Sequence, residues 1–565
     1  MGSDRDERLR RLLIAAAATV AFFGSLVLLP SGRLFVSPDE NANAFFARAY
    51  AHTGKLSTFE PLNTELGDAL HPRSVVSIQG FLVPGGFLGI PVLYGLAVRA
   101  AGDWVLPFLT PLLAFLAVFA WYALASKLFG RRIGFVAALL LAVHPAWWYY
   151  TARSLMPNVP FVAFLIFALY VALCRPFARF TRKTDLIDPV VAGTLSGLAL
   201  FVRASELVWI IPAAAVTALV VKRVHSRQAV GAFLLGATLV ALPALWMNAR
   251  TYGSPFVTGY AASRATEAPS SVAVSDVPAQ GNAFVRAWER VQEVAAPAFP
   301  FGLHPRNVLR HVGAYAFALF WWLALLTAGG IAVMLRTRGV PSLERRRPRA
   351  YHAFALMGAL YLAVLYGSWK IADNPDPDAI SIANSYVRYW LPAFVLATPY
   401  AATALVWITE RAVTRDGKRM IASALAIGCL ALSAHATFLA SPDGLLRVAD
   451  TLRRDVAVKV QLLLLTEPDA VVITDRGDKL LFPDRRVRVP LRDEATFELM
   501  PRLVLRAPLY YYGITFPSAD IDYLNQVKLK PHGLRITLVR TFHAESLYRI
   551  DAGPAPAGSD EPVSP

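Results

Sequence analysis

Residues 104–132, WVLPFLTPLLAFLAVFAWYALASKLFGRR, show the pattern that decides the fold. A long apolar run, 104–126, is followed at once by a short basic segment, 127–132. About 20 consecutive apolar residues are enough for a helix to cross the hydrocarbon core of a bilayer. Basic residues beside such a helix tend to stay in the cytoplasm. The stretch therefore predicts a transmembrane helix whose C-terminal end faces the cytoplasm.

The composition extends this prediction to the whole chain. Of its 565 residues, 56% are apolar and 17% are charged, whereas a soluble protein is about 45–50% apolar and about 25% charged. These values exclude a disordered protein, a collagen and a disulfide scaffold. Eleven segments are predicted to cross the membrane: 12–30, 104–126, 133–150, 157–174, 189–204, 205–221, 229–247, 312–335, 350–367, 388–408 and 420–440.

The basic residues predict the orientation of these helices. Nearly all of the net charge of +17 comes from segments at every second connection: 1–11, 127–132, 175–188, 222–228, 336–349 and 409–419. By the positive-inside rule these segments are cytoplasmic, so the surplus is a topology signal and not a nucleic-acid footprint. The N-terminus then lies inside and the C-terminal tail outside. We interpret 12–30 as an uncleaved anchor rather than a signal peptide.

One further apolar segment, residues 81–100, could add a twelfth membrane crossing. It contains Pro84, Gly85, Gly86, Gly89 and Pro91, which make its first half a poor helix. If it crossed the membrane, every later basic segment would change sides. We therefore predict a re-entrant or interfacial piece within one long outer loop, 31–103.

The tail after residue 440 has a different pattern. A helix-like stretch at 443–465 precedes strand-like runs at 469–474, 485–491 and 533–542, which predicts a small α/β domain. The fold class is therefore an all-α polytopic membrane protein with a small C-terminal extracytoplasmic α/β domain. The predicted divisions are a transmembrane module at 1–440, the α/β domain at 441–552 and a disordered end at 553–565.

Two adjacent carboxylates follow the first predicted helix, in SPDENANAFFARAY (37–50). Asp39 and Glu40 at a membrane surface can act as a general base or hold a cation. The alternative is a helix cap, with Ser37 or Asp39 starting the next helix. The residues alone leave these two interpretations in balance.

Three arginines lie near the outer ends of predicted helices, in ARSLMPN (152–158), GLALFVR (197–203) and YVRYWLPAF (386–394). Arg153 and Arg388 are flanked by aromatic residues, so each is either an interfacial belt arginine or a phosphate ligand. Arg203 is embedded in apolar sequence, where a charge is costly and either functional or paired locally with Glu206.

Other catalytic motifs are absent from the sequence. It has no P-loop, no HExxH zinc motif and no nucleophile elbow. Cys174 and Cys429 lie in apolar stretches and have no metal-binding spacing. No cofactor is identified; a divalent cation is compatible with the carboxylates, although no motif indicates a metal site.

Taken in order, five motifs resemble those of the GT-C glycosyltransferases, such as protein O-mannosyltransferases and lipid A aminoarabinose transferases. The motifs are PDE (38–40), HPRS (71–74), KLFGRR followed by a helix ending in ARSLMPN, GLALFVR and YVRYWLPAF. The resemblance covers roughly residues 10–440. It implies a membrane enzyme that moves a hexosyl or pentosyl group from a polyprenyl-phosphate donor to a lipid, glycan or protein acceptor.

The resemblance also implies roles for individual residues. Asp39, with Glu40 beside it, falls at the position of the catalytic base of such enzymes, and attack assisted by this base inverts the anomeric carbon. His71, Arg153, Arg203 and Arg388 fall where the donor phosphate is contacted. Asn158, which replaces an aspartate common in the family, and Tyr386 line the substrate pocket.

Two other functions remain open at this stage. A transporter or flippase for lipid-linked sugars predicts charges near the middle of the membrane and inverted repeats. A polymerase or ligase predicts a large outer loop late in the chain, whereas 368–387 is short. We expect the enzyme in a prokaryotic inner membrane, surrounded by membrane lipids, with no nucleic-acid partner.

Overall fold

The structure, a computed structural model, describes residues 2–31, 34–177, 186–221, 226–266, 290–336, 346–371 and 379–553. The predicted disordered end lies, from residue 554 on, outside the described residues. The chain is mostly helical and divides into two compact units. The membrane unit is Met1–Leu29, Pro107–Trp246 and Pro269–Val448, and the tail unit is Pro30–Leu106, Met247–Ala268 and Ala449–Pro565.

Apolar helices form the membrane unit. Its α-helices are Gly2–Ser25, Leu106–Phe129, Arg131–Ala142, Pro145–Ala152, Asn158–Cys174, Ile187–Val202, Leu207–Val221, Arg227–Tyr252, Pro305–His311, Trp321–Arg336, Arg346–Ser368, Ser385–Tyr389, Leu391–Glu410 and Arg415–Ala434. Short 3₁₀ or π turns extend or join several of them, at Leu26–Ser31, Ala204–Glu206, Val312–Ala318 and His435–Leu439. Helices dominate because lipid leaves backbone groups no partner except one another.

By length and composition, six helices of the described chain can cross a membrane, or nine when each of three bent pairs counts as one crossing. The pairs are bent by 44° at 131–152, by 113° at 187–220 and by 94° at 305–336. This confirms a polytopic membrane protein. Eleven crossings result if the pair at 187–220 crosses twice and the shorter helix Asn158–Cys174 also crosses, so the exact count stays a prediction.

Glycines allow two of these helices to touch backbone to backbone. Gly193 lies in the helix Ile187–Val202 and Gly236 in the helix Arg227–Tyr252. A β-carbon at Gly193 would overlap the Phe233 carbonyl, and one at Gly236 would overlap the Val190 carbonyl. Small residues at such contacts are how helices pack closely in lipid.

The tail unit contains two sheets and several shorter helices. The strands are β1 (Thr58–Phe59), β2 (Val75–Ile78), β3 (Phe81–Pro84), β4 (Val471–Thr474), β5 (Arg486–Arg488), β6 (Leu509–Ile514), β7 (Leu534–Phe542) and β8 (Glu545–Ala552). The helices are Pro38–Thr53, Pro61–Leu66, Gly89–Ala101, Gly259–Thr266, Leu445–Leu465, Asp478–Leu481, Glu494–Val504 and Ser518–Tyr523, with short turns at Asp103–Val105, Leu524–Lys528 and Lys530–His532.

The larger sheet has the strand order β5-β4-β6-β8-β7. Strand β4 pairs in parallel with β5 and β6, with Val472 opposite Val487 and Tyr510, whereas β8 runs antiparallel to β6 and β7. The predicted helix and the three predicted strands of the tail are therefore confirmed. Strands β6 and β8, which complete the sheet, were not predicted from the sequence.

The outer loop forms the smaller, antiparallel sheet, in the order β1-β3-β2. The predicted interfacial piece begins as β3 and continues as the helix Gly89–Ala101. With 13 residues, this helix is shorter than the about 20 that a crossing requires. That residues 81–100 do not cross the membrane stays a prediction.

The outer loop and the tail share one hydrophobic core. Leu66 and Leu70 of the loop are buried together with Val471 and Ile473 of β4. Ion pairs reinforce this contact, with 2.8 Å between Arg486 and Glu60 and 3.0 Å between Arg506 and Glu65. The loop therefore folds as part of the same unit as the tail.

The predicted sidedness can be tested with single cysteines in a Cys174→Ser, Cys429→Ser background. We expect Arg132→Cys, at an exposed side chain, to resist an impermeant maleimide in spheroplasts until detergent is added, because its basic segment is predicted to be cytoplasmic. Leu505→Cys, at an exposed residue of the tail, should be labelled at once. Labelling of Arg132→Cys in intact spheroplasts would contradict the topology.

Candidate active site

The first outer helix, Pro38–Thr53, begins with a complete capping box. The Ser37 hydroxyl accepts the Glu40 backbone N–H at 3.4 Å, and Glu40 Oε2 accepts the Ser37 backbone N–H at 3.1 Å. Ser37 is in extended conformation and Pro38 occupies the first turn, both typical of a helix start. The buried Glu40 carboxylate thus takes part in the helix cap. Ser37, one of the two residues considered as the start of this helix, is the N-cap.

Asp39 lies in the first turn of the same helix but makes a different contact. Its Oδ1 accepts a hydrogen bond of 2.5 Å from the Ser74 hydroxyl. Ser74 is the last residue of HPRS, so the structure brings two of the predicted motifs together. It also separates the roles of the two carboxylates, because Glu40 caps the helix and Asp39 contacts the HPRS turn.

Two other residues of the HPRS motif, Arg73 and His71, contact different groups. The Arg73 guanidinium contacts the fully buried carboxylate of Asp478, with 2.5 Å between Nη2 and Oδ1. The half-buried ring of His71 has Nδ1 3.2 Å from the carbonyl oxygen of Pro72. The Arg73 side chain is therefore engaged by the tail.

In the membrane unit, Arg203 occupies the break between the helices Ile187–Val202 and Leu207–Val221. Its Nη2 lies 2.7 Å from Glu206 Oε1, and both side chains are buried. Glu206 also accepts hydrogen bonds from the Trp209 indole and from the Tyr366 hydroxyl. The local ion pair considered as an alternative is thus present.

Arg203 and Arg388 meet at one aromatic ring. The guanidinium carbon of each lies 5.1 Å from the centroid of the Tyr389 ring, a distance typical of cation–π contacts. The Tyr366 ring stacks on Tyr389 with 4.5 Å between centroids. Two arginines far apart in sequence are thereby held together; we call Arg203, Arg388, Tyr389, Tyr366 and Glu206 the arginine cluster.

Asn158 joins this cluster through the backbone. Its Nδ2 donates to the Arg388 carbonyl oxygen at 3.0 Å. The side chain is 2% exposed, and its Oδ1 has no hydrogen-bond partner among the residues that the structure describes. A buried acceptor without a partner costs about 1–3 kcal/mol, which marks the position as one that a ligand donor could occupy.

The remaining predicted residues have different surroundings. Arg153 is buried in the break between the helices Pro145–Ala152 and Asn158–Cys174. The Tyr386 hydroxyl donates to the Trp369 carbonyl at 2.5 Å and lies 3.2 Å from His311 Nε2. Tyr386 thus links the end of one membrane helix to the start of another.

The two groups of residues suit different chemical tasks. Asp39 offers a carboxylate at a helix start, and the arginine cluster offers guanidinium donors suited to a phosphate. Within the described part of the chain, no group of three or more His, Cys, Asp and Glu side chains is arranged to hold a metal ion.

Some residues that contact Asp39, Arg73 or the two arginines were not predicted from the sequence. Tyr389 lies inside the quoted motif YVRYWLPAF but was considered only as one of the aromatic residues that flank Arg388. Ser74 lies inside HPRS, and its hydroxyl was not considered. Asp478 is 405 residues from Arg73, and no local pattern in the sequence points to their contact.

Part of the sequence matches a known family. Residues 93–247 match the model of the dolichyl-phosphate-mannose-protein mannosyltransferase family. No curated protein matches the chain in sequence. The family match confirms the predicted resemblance to GT-C membrane glycosyltransferases and the predicted enzyme class, a glycosyltransferase.

Solved structures share the fold at low sequence identity. ArnT from Cupriavidus metallidurans, bound to undecaprenyl phosphate, is 15% identical with a TM-score of 0.51, and the match covers 95% of this chain and 97% of ArnT. Its apo state is 13% identical with a TM-score of 0.53 and the same coverage. The archaeal oligosaccharyltransferase AglB from Archaeoglobus fulgidus, in complex with an inhibitory peptide and a dolichol-phosphate, is 14% identical with a TM-score of 0.51, covering 89% of this chain and 69% of AglB.

The buried ion pair of the arginine cluster predicts a stability effect. Glu206→Ala removes the partner of Arg203, so we expect the free energy of unfolding to fall by about 3–5 kcal/mol. Denaturation of the purified protein, followed by tryptophan fluorescence, measures the loss. Glu410→Ala breaks the exposed pair with Arg132 and should leave stability nearly unchanged. Equal effects of the two variants would contradict the role assigned to Glu206.

Proposed function

We propose that the chain transfers a sugar from a polyprenyl-phosphate donor to an acceptor on the extracytoplasmic side of a prokaryotic inner membrane. The observation that carries the proposal is the meeting of Arg203 and Arg388 at the ring of Tyr389. The name of the matched family contains a dolichyl-phosphate sugar, and the two fold relatives are bound to undecaprenyl phosphate and to a dolichol-phosphate. Each of these molecules has the phosphate that such arginines bind.

The arginines stabilise the leaving group. As the bond between the anomeric carbon and the phosphate oxygen breaks, the lipid monophosphate gains negative charge. Guanidinium donors that are already oriented stabilise that charge without reorganising. Tyr389 contributes to this orientation, because its ring contacts both guanidinium groups.

Asn158 orients the donor sugar in this proposal. Its buried Oδ1 has no partner in the described part of the chain, and a sugar hydroxyl is a donor of suitable chemistry. An amide accepts this hydrogen bond without adding negative charge near the phosphate.

Asp39 acts as the general base. Its carboxylate takes the proton from the acceptor hydroxyl or amine as that group attacks the anomeric carbon from the side opposite the phosphate. One bond to the anomeric carbon forms while the other breaks, so the configuration inverts. The Ser74 hydroxyl, 2.5 Å from Oδ1, holds the carboxylate in one orientation, and such positioning is needed for efficient proton transfer.

The base assignment predicts a loss of turnover. Asp39→Asn keeps the size of the side chain but cannot accept the proton, so kcat should fall on the order of 100-fold or more. The assay uses purified full-length protein, tritiated undecaprenyl-phosphate mannose as probe donor and a membrane extract as acceptor source. Glu40→Gln, which alters the helix cap beside Asp39, is the matched control and should retain most activity. Unchanged turnover by Asp39→Asn would refute the base.

The arginine assignment predicts a different kinetic signature. Arg388→Gln should lower kcat/KM for the donor on the order of 100-fold, because a preorganised donor to the developing phosphate charge is lost. Arg388→Lys should restore only part of the rate, since lysine cannot form the same planar fork. Arg411→Gln is the control, because Arg411 also packs on an aromatic ring, that of Trp407, outside the cluster. Equal kcat/KM for Arg388→Gln and Arg411→Gln would contradict the assignment.

A further inference from the structure

A rigid segment of the tail lies at the carboxyl end of β4. Asp475 accepts hydrogen bonds from the Leu491 backbone N–H at 3.0 Å and from the Tyr511 hydroxyl at 2.9 Å. Burial and the adjacent Asp475 carboxylate raise the pKa of Tyr511, so the phenol remains a donor. The Gly477 N–H donates to the Thr474 hydroxyl at 2.9 Å. The sheet therefore fixes the start of the segment 475–482.

The next residue of this segment, Asp478, holds the HPRS turn. Its carboxylate accepts the Arg73 backbone N–H at 3.0 Å and the Arg73 guanidinium through Nε at 3.1 Å and Nη2 at 2.5 Å. The side chain of Asp478 is completely buried. A buried carboxylate requires such a partner, and because the backbone N–H also takes part, the main chain of the turn is fixed together with the side chain.

The same segment also holds the start of the helix that carries Asp39. Asn41 Nδ2 donates to the Phe482 carbonyl oxygen at 3.0 Å. The Lys479 ammonium lies 3.5 Å from the Val36 carbonyl oxygen. Residues before and after Asp39 are therefore attached to the segment that also binds Arg73.

The hydrogen bond from Ser74 to Asp39 joins these two attachments. Ser74 has a φ of 63°, a left-handed conformation that is unfavourable for serine and persists where its surroundings enforce it. Its carbonyl accepts the Gly85 N–H at 2.9 Å, and a β-carbon at Gly85 would lie 2.7 Å from the Ser74 carbonyl carbon. The backbone of Ser74 is thus held by Gly85 after it and by the attachment of Arg73 to Asp478 before it, and its hydroxyl donates to Asp39.

We propose that Asp478 is a positioning residue for catalysis, acting through Arg73 and Ser74 to orient the Asp39 carboxylate. The proposal rests on the function proposed above, in which Asp39 is the base. It assigns the tail a catalytic purpose, because the fixed segment after β4 determines where the proton acceptor lies. A displacement of about 1 Å at a reacting group can cost on the order of 100-fold in rate.

Two variants test the proposal, in the full-length protein and with undecaprenyl-phosphate mannose as probe donor. Asp478→Asn removes the charge that holds the turn, and Ser74→Ala removes only the final hydroxyl. For both we expect kcat to fall about tenfold to 100-fold, with KM for the donor nearly unchanged, because donor binding does not involve these residues. Ser74→Ala disturbs no buried charge, so it keeps the test decisive if Asp478→Asn fails to fold.

The matched control is Glu60→Gln. It breaks an ion pair of 2.8 Å with Arg486 that also joins the outer loop to the tail, but it makes no contact with the HPRS turn in the described structure. Its kcat should remain that of the wild-type protein even though its thermal stability falls. A merely structural role for Asp478 predicts instead that the two variants lose activity in proportion to stability.

A double-mutant cycle separates positioning from stability. Because Asp478 and Ser74 act through the Asp39 carboxylate, adding Ser74→Ala or Asp478→Asn to Asp39→Asn should lower the residual rate no further. If the substitutions acted independently, their fold-losses in kcat would multiply instead. Multiplying losses, or a kcat of Ser74→Ala equal to that of Glu60→Gln, would overturn the proposal.

The outcomes distinguish this proposal from the proposed function. If wild-type protein and Asp39→Asn consume the donor equally fast, or if neither consumes it, the base assignment fails and Asp478 has no base to position. If Asp39→Asn is inactive while both test variants match Glu60→Gln, only the positioning role is wrong.

Discussion

A charge withdrawn from water needs an opposite charge or hydrogen-bond donors beside it, and this constraint determines the surroundings of the buried charged residues described here. Arg203 is tolerated within the membrane unit because Glu206 lies 2.7 Å away. Asp478 is tolerated inside the tail unit because the Arg73 backbone and guanidinium surround it. Removing one member of such a pair is far more costly than breaking an exposed pair. Both pairs lie next to residues with proposed catalytic roles, so the requirement for neutralisation also fixes those residues in place.

The same constraint explains the division of tasks between the two carboxylates of the PDE motif. Glu40 is buried and takes part in the capping box with Ser37, which satisfies the backbone groups of the helix start. Asp39, one residue earlier, is bound by the Ser74 hydroxyl. Adjacent positions on a helix point in different directions, so one carboxylate can stabilise the helix while the other acts on a substrate. In our account, the tail contributes to this arrangement by holding both the helix start and the HPRS turn.

Much of the fold follows from local sequence patterns, but the contacts between residues far apart in the sequence do not. Apolar length predicted the membrane helices, and the run DAVVIT predicted β4, because hydrophobic periodicity is a local property. The glycines and prolines of the segment 81–100 weaken a helix, and the structure forms a strand and a helix of only 13 residues there. The contact between Arg73 and Asp478 joins residues 405 positions apart, and the meeting of Arg203 and Arg388 at Tyr389 depends on helix packing. Such contacts arise from tertiary structure, and no motif in a single sequence encodes them.

The central claim is that the chain breaks the bond between a sugar and a polyprenyl phosphate. The most direct test reconstitutes the wild-type protein in liposomes that contain undecaprenyl-phosphate mannose labelled in both the sugar and the phosphate, together with a membrane extract as acceptor source. The account predicts that labelled undecaprenyl phosphate appears in step with labelled acceptor, and that inactivation by Asp39→Asn abolishes both. Movement of the intact donor between leaflets, without release of undecaprenyl phosphate, would contradict the account and identify a transporter.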